Sequence, residues 1–180
     1  MQVITGKFKG RAIKAPAGIN TRPTKQRIRE SLFNIIENQL DFKDKVIGDI
    51  FAGSGAFALE AMSRGAKKAY LFEKDNNAIQ AIRENFRDEP NYEIIRDALR
   101  HNVRDKFDLI YLDPPYEKNM LSPAITIFTN GNLLNDDAVV ITETAKNEVT
   151  EFNGLIKYDT RFYNKTKIDF FHKILKSNEA

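Results

Sequence analysis

From Val46 onward the chain alternates short apolar runs with stretches of helical periodicity, and no other feature limits its fold so tightly. Val46–Ile50, Ala69–Phe72, Tyr92–Ile95, Phe107–Leu112 and Ala138–Thr142 have strand length and strand composition. Between them, Leu59 and Met62, then Ala78, Ile79, Ile82 and Phe86, then Ala124–Phe128 recur at helical spacing. Strands separated by helices must lie parallel, and a parallel sheet has to be covered on both faces. The tail breaks the pattern. Leu155–Phe162 and Lys167–Leu175 flank Tyr163-Asn164-Lys165-Thr166, the signature of an antiparallel hairpin.

Ahead of the alternation, Val3-Ile4-Thr5 and Arg11–Lys14 flank a glycine-bounded turn, which predicts a small N-terminal hairpin over residues 1–20. Residues 21–180 then form the main domain. Thr24 is placed to cap a helix in which Ile28, Leu32, Ile35, Ile36 and Leu40 share one face, with Lys25 and Arg29 on another.

Composition removes whole classes of chemistry. The 180 residues include no cysteine, which excludes disulfides, thiolate metal sites and thiol nucleophiles. His101 and His172 lie far apart in sequence, without the spacing of a zinc hydrolase, so no metal is expected. No apolar stretch is long enough to span a bilayer, and the first ten residues lack a signal-peptide core; a cytoplasmic, monomeric protein is expected. The net charge of +3 conceals an asymmetry: residues 1–29 carry +8 with no acid, and the remaining 151 carry −5. A basic arm on a mildly acidic body points to a polyanionic partner.

Two motifs carry the chemistry. In Asp49-Ile50-Phe51-Ala52-Gly53-Ser54-Gly55, a strand runs into two glycines and then a helix, a loop where a ligand can approach the backbone closely. Gly53-x-Gly55-x-x-Ala58 also satisfies the dinucleotide fingerprint, and Glu73, twenty residues on, sits where a carboxylate grips ribose hydroxyls. Asp49 separates the candidates. An acid before the glycines repels a pyrophosphate but attracts the ammonium of an amino-acid ligand. S-adenosylmethionine offers that ammonium, a sulfonium and an adenosine, with no phosphate. Asp97, beside Ala98 after the third strand, could accept from an adenine amino group or serve as an ordinary turn residue.

The second motif is Asp113-Pro114-Pro115-Tyr116, directly after Phe107–Leu112. Two prolines stiffen the backbone and leave carbonyls as acceptors; Asp113 adds a carboxylate, and Tyr116 a flat face for a base. Acceptors beside an aromatic plate suit an exocyclic amino group on adenine, cytosine or guanine. Glu143, at the end of the fifth strand, is left out of the site as structural.

These two motifs together resemble the class I S-adenosylmethionine-dependent amino-methyltransferases. Thr21-Arg22-Pro23-Thr24, Arg27-x-Arg29-Glu30-Ser31-Leu32-Phe33-Asn34 and Gly6-Lys7-x-Lys9-Gly10-Arg11 are similar to the bacterial RsmD family, over nearly the whole chain. Asn164 departs from a commoner glycine, but asparagine tolerates positive φ. The resemblance implies a Rossmann-like α/β fold: a mostly parallel seven-stranded sheet with an antiparallel C-terminal hairpin and an N-terminal hairpin extension. It implies methylation of a guanine N2 in small-subunit ribosomal RNA, within a small-subunit particle. Asp113, Pro114, Pro115 and Tyr116 would be catalytic. Asp49, Phe51, Gly53, Gly55, Glu73, Asp97, Ala98 and Thr24 would hold S-adenosylmethionine, although the Thr21–Thr24 segment could instead cap the helix or touch phosphate. Lys7, Lys9, Arg11, Arg22 and Arg27 would meet RNA. The alternatives are an amino-methyltransferase acting on another RNA or on DNA, a nicotinamide-dependent oxidoreductase, or a non-catalytic RNA-binding module on the same fold.

Overall fold

A computed structural model of the chain describes residues 1–17, 23–97, 103–115 and 120–175. Its elements follow the expected alternation: α1 (Pro23–Glu37), β1 (Val46–Ile50), α2 (Ala56–Ser63), β2 (Lys68–Phe72), α3 (Asn76–Asn85), β3 (Tyr92–Ile95), β4 (Phe107–Leu112), α4 (Leu121–Asn130), β5 (Leu134–Ala145), β6 (Leu155–Tyr163) and β7 (Thr166–Lys173). The seven strands form one sheet in the order β3-β2-β1-β4-β5-β7-β6. β1 to β5 pair in parallel, and β7 enters antiparallel between β5 and β6. The chain order reverses at β1, so the carboxyl ends of β1 and β4 border the crevice where ligands bind in open α/β sheets.

Each face of the sheet carries its own core. Ile28, Leu32, Phe33 and Ile36 of α1 pack with Phe57, Leu59 and Met62 of α2 and Ile82 of α3 on one face. Leu121, Ile125 and Phe128 of α4 meet Phe72, Phe107 and Ile110 on the other.

Several boundaries differ from expectation. The N-terminal hairpin forms but is short: around the Gln2–Ala12 bridge, Val3 N–H donates to the Arg11 carbonyl, Ile13 N–H to the Met1 carbonyl and Gly10 N–H to the Val3 carbonyl. Beyond Val3 the chain turns to α2, where the amides of Ile4 and Thr5 donate to the buried Glu60 carboxylate at 2.7 and 3.0 Å. Val3 and Ile13 still enter the same core as α1 and α2. Thr24 is not the cap of α1. The helix begins at Pro23, whose fixed φ and missing N–H suit the first helical position. β5 starts at Leu134 rather than Ala138, because a register shift after Phe107 lets Leu134 pair with that residue. At its other end β5 runs on to Ala145, held by Thr166 of β7. The turn at Asn164 forms as expected, with φ 54°.

Candidate active site

The loop after β1 is wound by left-handed residues: Phe51 at φ 68°, Gly53 at 55° and Gly55 at 70°. The amides of Phe51 and Ala52 both donate to the Phe72 carbonyl, which pins the loop to the end of β2. The two glycines do different jobs. A Cβ on Gly55 would lie 2.8 Å from Leu71 Cδ2 and 2.9 Å from Phe86 Cε2, so the missing side chain lets the loop close on α3 and β2. A Cβ on Gly53 would meet nothing within 4 Å, and Gly53 lines the crevice.

Glu73 is held almost entirely by backbone. Its Oε2 accepts from the Gly53 amide at 2.9 Å, and its Oε1 from the Lys74 and Asp75 amides at 2.8 and 2.9 Å. Asp75 in turn caps α3 through the Ala78 amide. The carboxylate is therefore fixed before any ligand arrives, beside Asp97 on the same crevice wall.

The strand register assembles the opposite wall. Asp49 of β1 pairs across from Tyr111 of β4, and Leu112 from Thr142 of β5. Asp113, just past the end of β4, and Glu143, still within β5, thus lie one step further on neighbouring strands. Asp49 is buried with its Oδ2 accepting from the Ala58 amide at 3.1 Å. Burial pushes its carboxyl up to about 8, against the pull of that hydrogen bond; the charges of Asp113 and Glu73 add to the rise. Glu143 is pushed up to about 7, by burial first and by Asp113 second; the Tyr111 hydroxyl and Lys25 oppose. Tyr111 donates to Glu143 Oε2 at 2.5 Å and stacks on Phe57, with ring centroids 4.2 Å apart and planes 11° from parallel. Burial and the neighbouring acids drive its phenol well above the usual range.

Glu143, set aside in the sequence as structural, lines the same crevice as Asp113. The sequence signal was an acid closing the apolar run Ala138–Ile141. Two basic side chains from α1 were also missed. Lys25 Nζ lies 3.1 Å from Asp113 Oδ2. Arg29, expected away from the apolar face, is buried at the crevice, with Nη2 donating to the Gln2 carbonyl at 2.6 Å and Nε unbonded. Helical spacing alone could not show that α1 leans its polar edge over the strand ends.

The resulting crevice measures about 990 Å³. Glu73, Asp75 and Asp97 stand at one end, Asp113, Pro114 and Glu143 at the other, with Asp49 and Arg29 among the lining residues. Acids whose protons are held by burial and mutual repulsion fit a ligand that brings positive charge; a fixed carboxylate beside the glycine loop fits a ribose.

The basic arm is partly engaged within the molecule. Lys7 pairs with Glu89 at 2.5 Å, Arg11 with Asp88 at 2.9 Å and Lys14 with Glu84 at 2.5 Å. Lys9 and Arg27 are exposed. Tyr116, Ala98, Arg22 and the side chain of Thr24 lie outside the described part of the chain. No described helix is long and apolar enough to cross a membrane.

A seven-stranded sheet of this order, with a glycine loop after β1 and Asp-Pro-Pro after β4, defines a Rossmann-like class I methyltransferase. Solved structures agree on the fold. Escherichia coli yhhF superposes with a TM-score of 0.84 at 24% identity, covering 98% of this chain and 99% of that one. Haemophilus influenzae HI0767 gives 0.78 at 24% identity, covering 97% and 98%. The family model described as conserved hypothetical protein 95 matches residues 1–172, and the chain belongs to that family, the RsmD family. Bacillus subtilis YlbH is 36% identical over 152 residues, 79% of this chain and 82% of its own length. The Escherichia coli K12 ribosomal RNA small subunit methyltransferase D is 30% identical over 149 residues, 80% of this chain and 74% of that protein.

Proposed function

We propose that this chain transfers a methyl group from S-adenosylmethionine to the exocyclic N2 of a guanine in small-subunit ribosomal RNA. It would act as a cytoplasmic monomer on RNA within a small-subunit particle. The observation that carries the reading is the pairing of two acceptor-rich walls across one crevice. Glu73 and the glycine loop stand on one side, and Asp113 with the Pro114 carbonyl on the other. The relatives named ribosomal RNA small subunit methyltransferase D support the substrate.

S-adenosylmethionine supplies an electrophilic methyl group on a sulfonium. Glu73, already anchored by three amides, would take the ribose hydroxyls, and Asp97 the adenine amino group. Asp49 would receive the ammonium, its buried carboxyl releasing its proton to solvent to meet that charge. Phe51, Gly53 and Gly55 would shape the loop around the nucleoside, with Thr24 and Ala98 as further residues to hold it.

An amino nitrogen on a purine is a weak nucleophile because its lone pair is delocalised into the ring. Asp113 Oδ and the Pro114 carbonyl would accept its two N–H bonds, hold the nitrogen and aim its lone pair at the methyl carbon. As the N–C bond forms the C–S bond breaks, the neutral thioether departs, and the methylated nitrogen then loses one proton to solvent. Such positioning supplies roughly 7–11 kcal/mol of a barrier. The Lys25 ammonium now on Asp113 must yield that oxygen to the substrate. Pro115 stiffens the loop, and Tyr116 stacks on a base that has left its helix. Lys7, Lys9, Arg11, Arg22 and Arg27 meet phosphates.

Methyl transfer from labelled donor to naked rRNA, small subunits and DNA, with mass-spectrometric mapping, tests the reading. N2-methylguanosine in small-subunit rRNA is expected. Label appearing only on DNA adenine, or hydride transfer from NADH without methyl transfer, would overturn it.

A further inference from the structure

We infer that Glu143 and Lys25 read the Watson–Crick edge of the target base and make the pocket selective for guanine. The inference rests on the methyl-transfer reading above and extends it to a group that reading leaves idle.

Asp113 and Glu143 stand one residue past the Leu112–Thr142 pair of adjacent parallel strands, Asp113 just beyond β4 and Glu143 within β5, and both line the crevice. Lys25 reaches over them from the first turn of α1, bonded to Asp113 and close enough to act on the Glu143 charge. The three groups present acceptor, acceptor and donor in one small area. That is the pattern cytosine offers its partner, and guanine is the purine that answers it. The N2 amino group meets Asp113, the N1–H meets Glu143, and O6 meets the ammonium that Asp113 has released. Adenine presents a lone pair at N1 and an amino group at C6, so it would face Glu143 with repulsion and Lys25 with another donor.

The Glu143 carboxylate is built for this use. One oxygen, Oε2, is occupied by the Tyr111 hydroxyl, which is itself fixed by stacking on Phe57. The side chain is buried yet lines the crevice, where a purely structural acid would have been satisfied without facing the ligand space. A polar site left unpaired by the wrong base discriminates strongly, since its desolvation is not recovered.

The test uses small-subunit particles reconstituted with rRNA that carries either guanine or 2-aminopurine at the mapped position. 2-Aminopurine keeps the amino group at C2 but lacks the N1–H and O6. Wild-type protein should prefer guanine by about a hundredfold or more in kcat/KM. Glu143→Gln keeps an acceptor for Tyr111 but can donate to the bare N1, so the preference should fall at least about tenfold. Lys25→Met should lower the rate on guanine more than that on 2-aminopurine. Equal rates on both bases with wild-type protein would overturn the inference while leaving N2 methylation standing. So would a Glu143→Gln protein that slows both bases alike, the mark of a structural role. Should Glu143→Gln fail to fold, the wild-type and Lys25→Met ratios decide the matter. Absence of methyl on N2 of either base would instead remove the functional reading itself.

Discussion

The two walls of the crevice are built on opposite plans. On the β1–β3 side, the glycine loop and the acids come from one continuous stretch, residues 51–97, and its central acid is fixed by backbone amides. On the β4–β5 side, four segments contribute: Lys25 and Arg29 from α1, Tyr111 and Asp113 around the end of β4, Glu143 from β5, with Asp49 of β1 beside them. Asp113 and Glu143 are held there by the side chains of Lys25 and Tyr111, and Asp49 by a single amide, that of Ala58. The first wall is rigid before binding, as suits a ligand common to many enzymes. The second holds charges out of balance, and the arriving ligand and base complete them.

That contrast can be broken most decisively at Asp113. Asp113→Ala should lower turnover by about a hundredfold or more while leaving donor affinity nearly unchanged. Single-turnover methyl transfer beside a donor-binding isotherm checks it, and equal losses in both would erase the distinction between the walls.

The glycine loop offers a second, smaller cut. Gly55→Ala drives a Cβ against Leu71 and Phe86 at positive φ and should cost about 3 kcal/mol of stability. Gly53→Ala, with open space around its Cβ, should cost about 1 kcal/mol but weaken donor binding. Chemical denaturation and donor titration separate the two; a Gly53→Ala protein that binds normally would move the ligand off the loop.

Charge imbalance predicts a pH signature. The Asp49 carboxyl titrates near 8 in the folded protein, far above its unfolded range, so the folded state holds a proton that the unfolded state releases. Its contribution is complete below about pH 4 and is lost as pH rises toward 8. Asp49→Asn should therefore flatten the fall in Tm across that window. Donor binding at pH 7 should release a proton from wild-type protein but not from Asp49→Asn, as calorimetry in buffers of different ionisation heat would register.

The smallest effect belongs to the arm. Lys9→Ala should reduce the slope of log K against log salt for RNA by about 1. Lys7→Ala should change it less, because Lys7 already neutralises Glu89. A salt-independent affinity would remove the arm from the interface.

The first wall was legible in the sequence because its parts are consecutive. A strand, two glycines, a helix and an acid at the end of the next strand fix one another's positions through local geometry. Asp113-Pro114-Pro115 was legible for the same reason. Glu143, Lys25 and Arg29 were not, since their meeting depends on strand register and on the tilt of α1, which no short window of residues contains. The same limit explains the N-terminus. A glycine-bounded alternation announces a hairpin, but not how short it is: Glu60, fifty-five residues away from Thr5, draws the chain onto α2 after only a few cross-strand bonds.

The Tyr111–Glu143 bond has an optical consequence. The chain holds six tyrosines and no tryptophan, so emission excited at wavelengths beyond phenylalanine absorption comes from phenols alone. A phenol bonded to a carboxylate is dimmed in its excited state by proton transfer to that acceptor, and Tyr111 is held in such a bond at the floor of the crevice. A molecule that displaces Tyr111 from Glu143 Oε2 should brighten it, whereas one bonded only to the other carboxylate oxygen should not, so the β4–β5 wall carries its own label-free reporter.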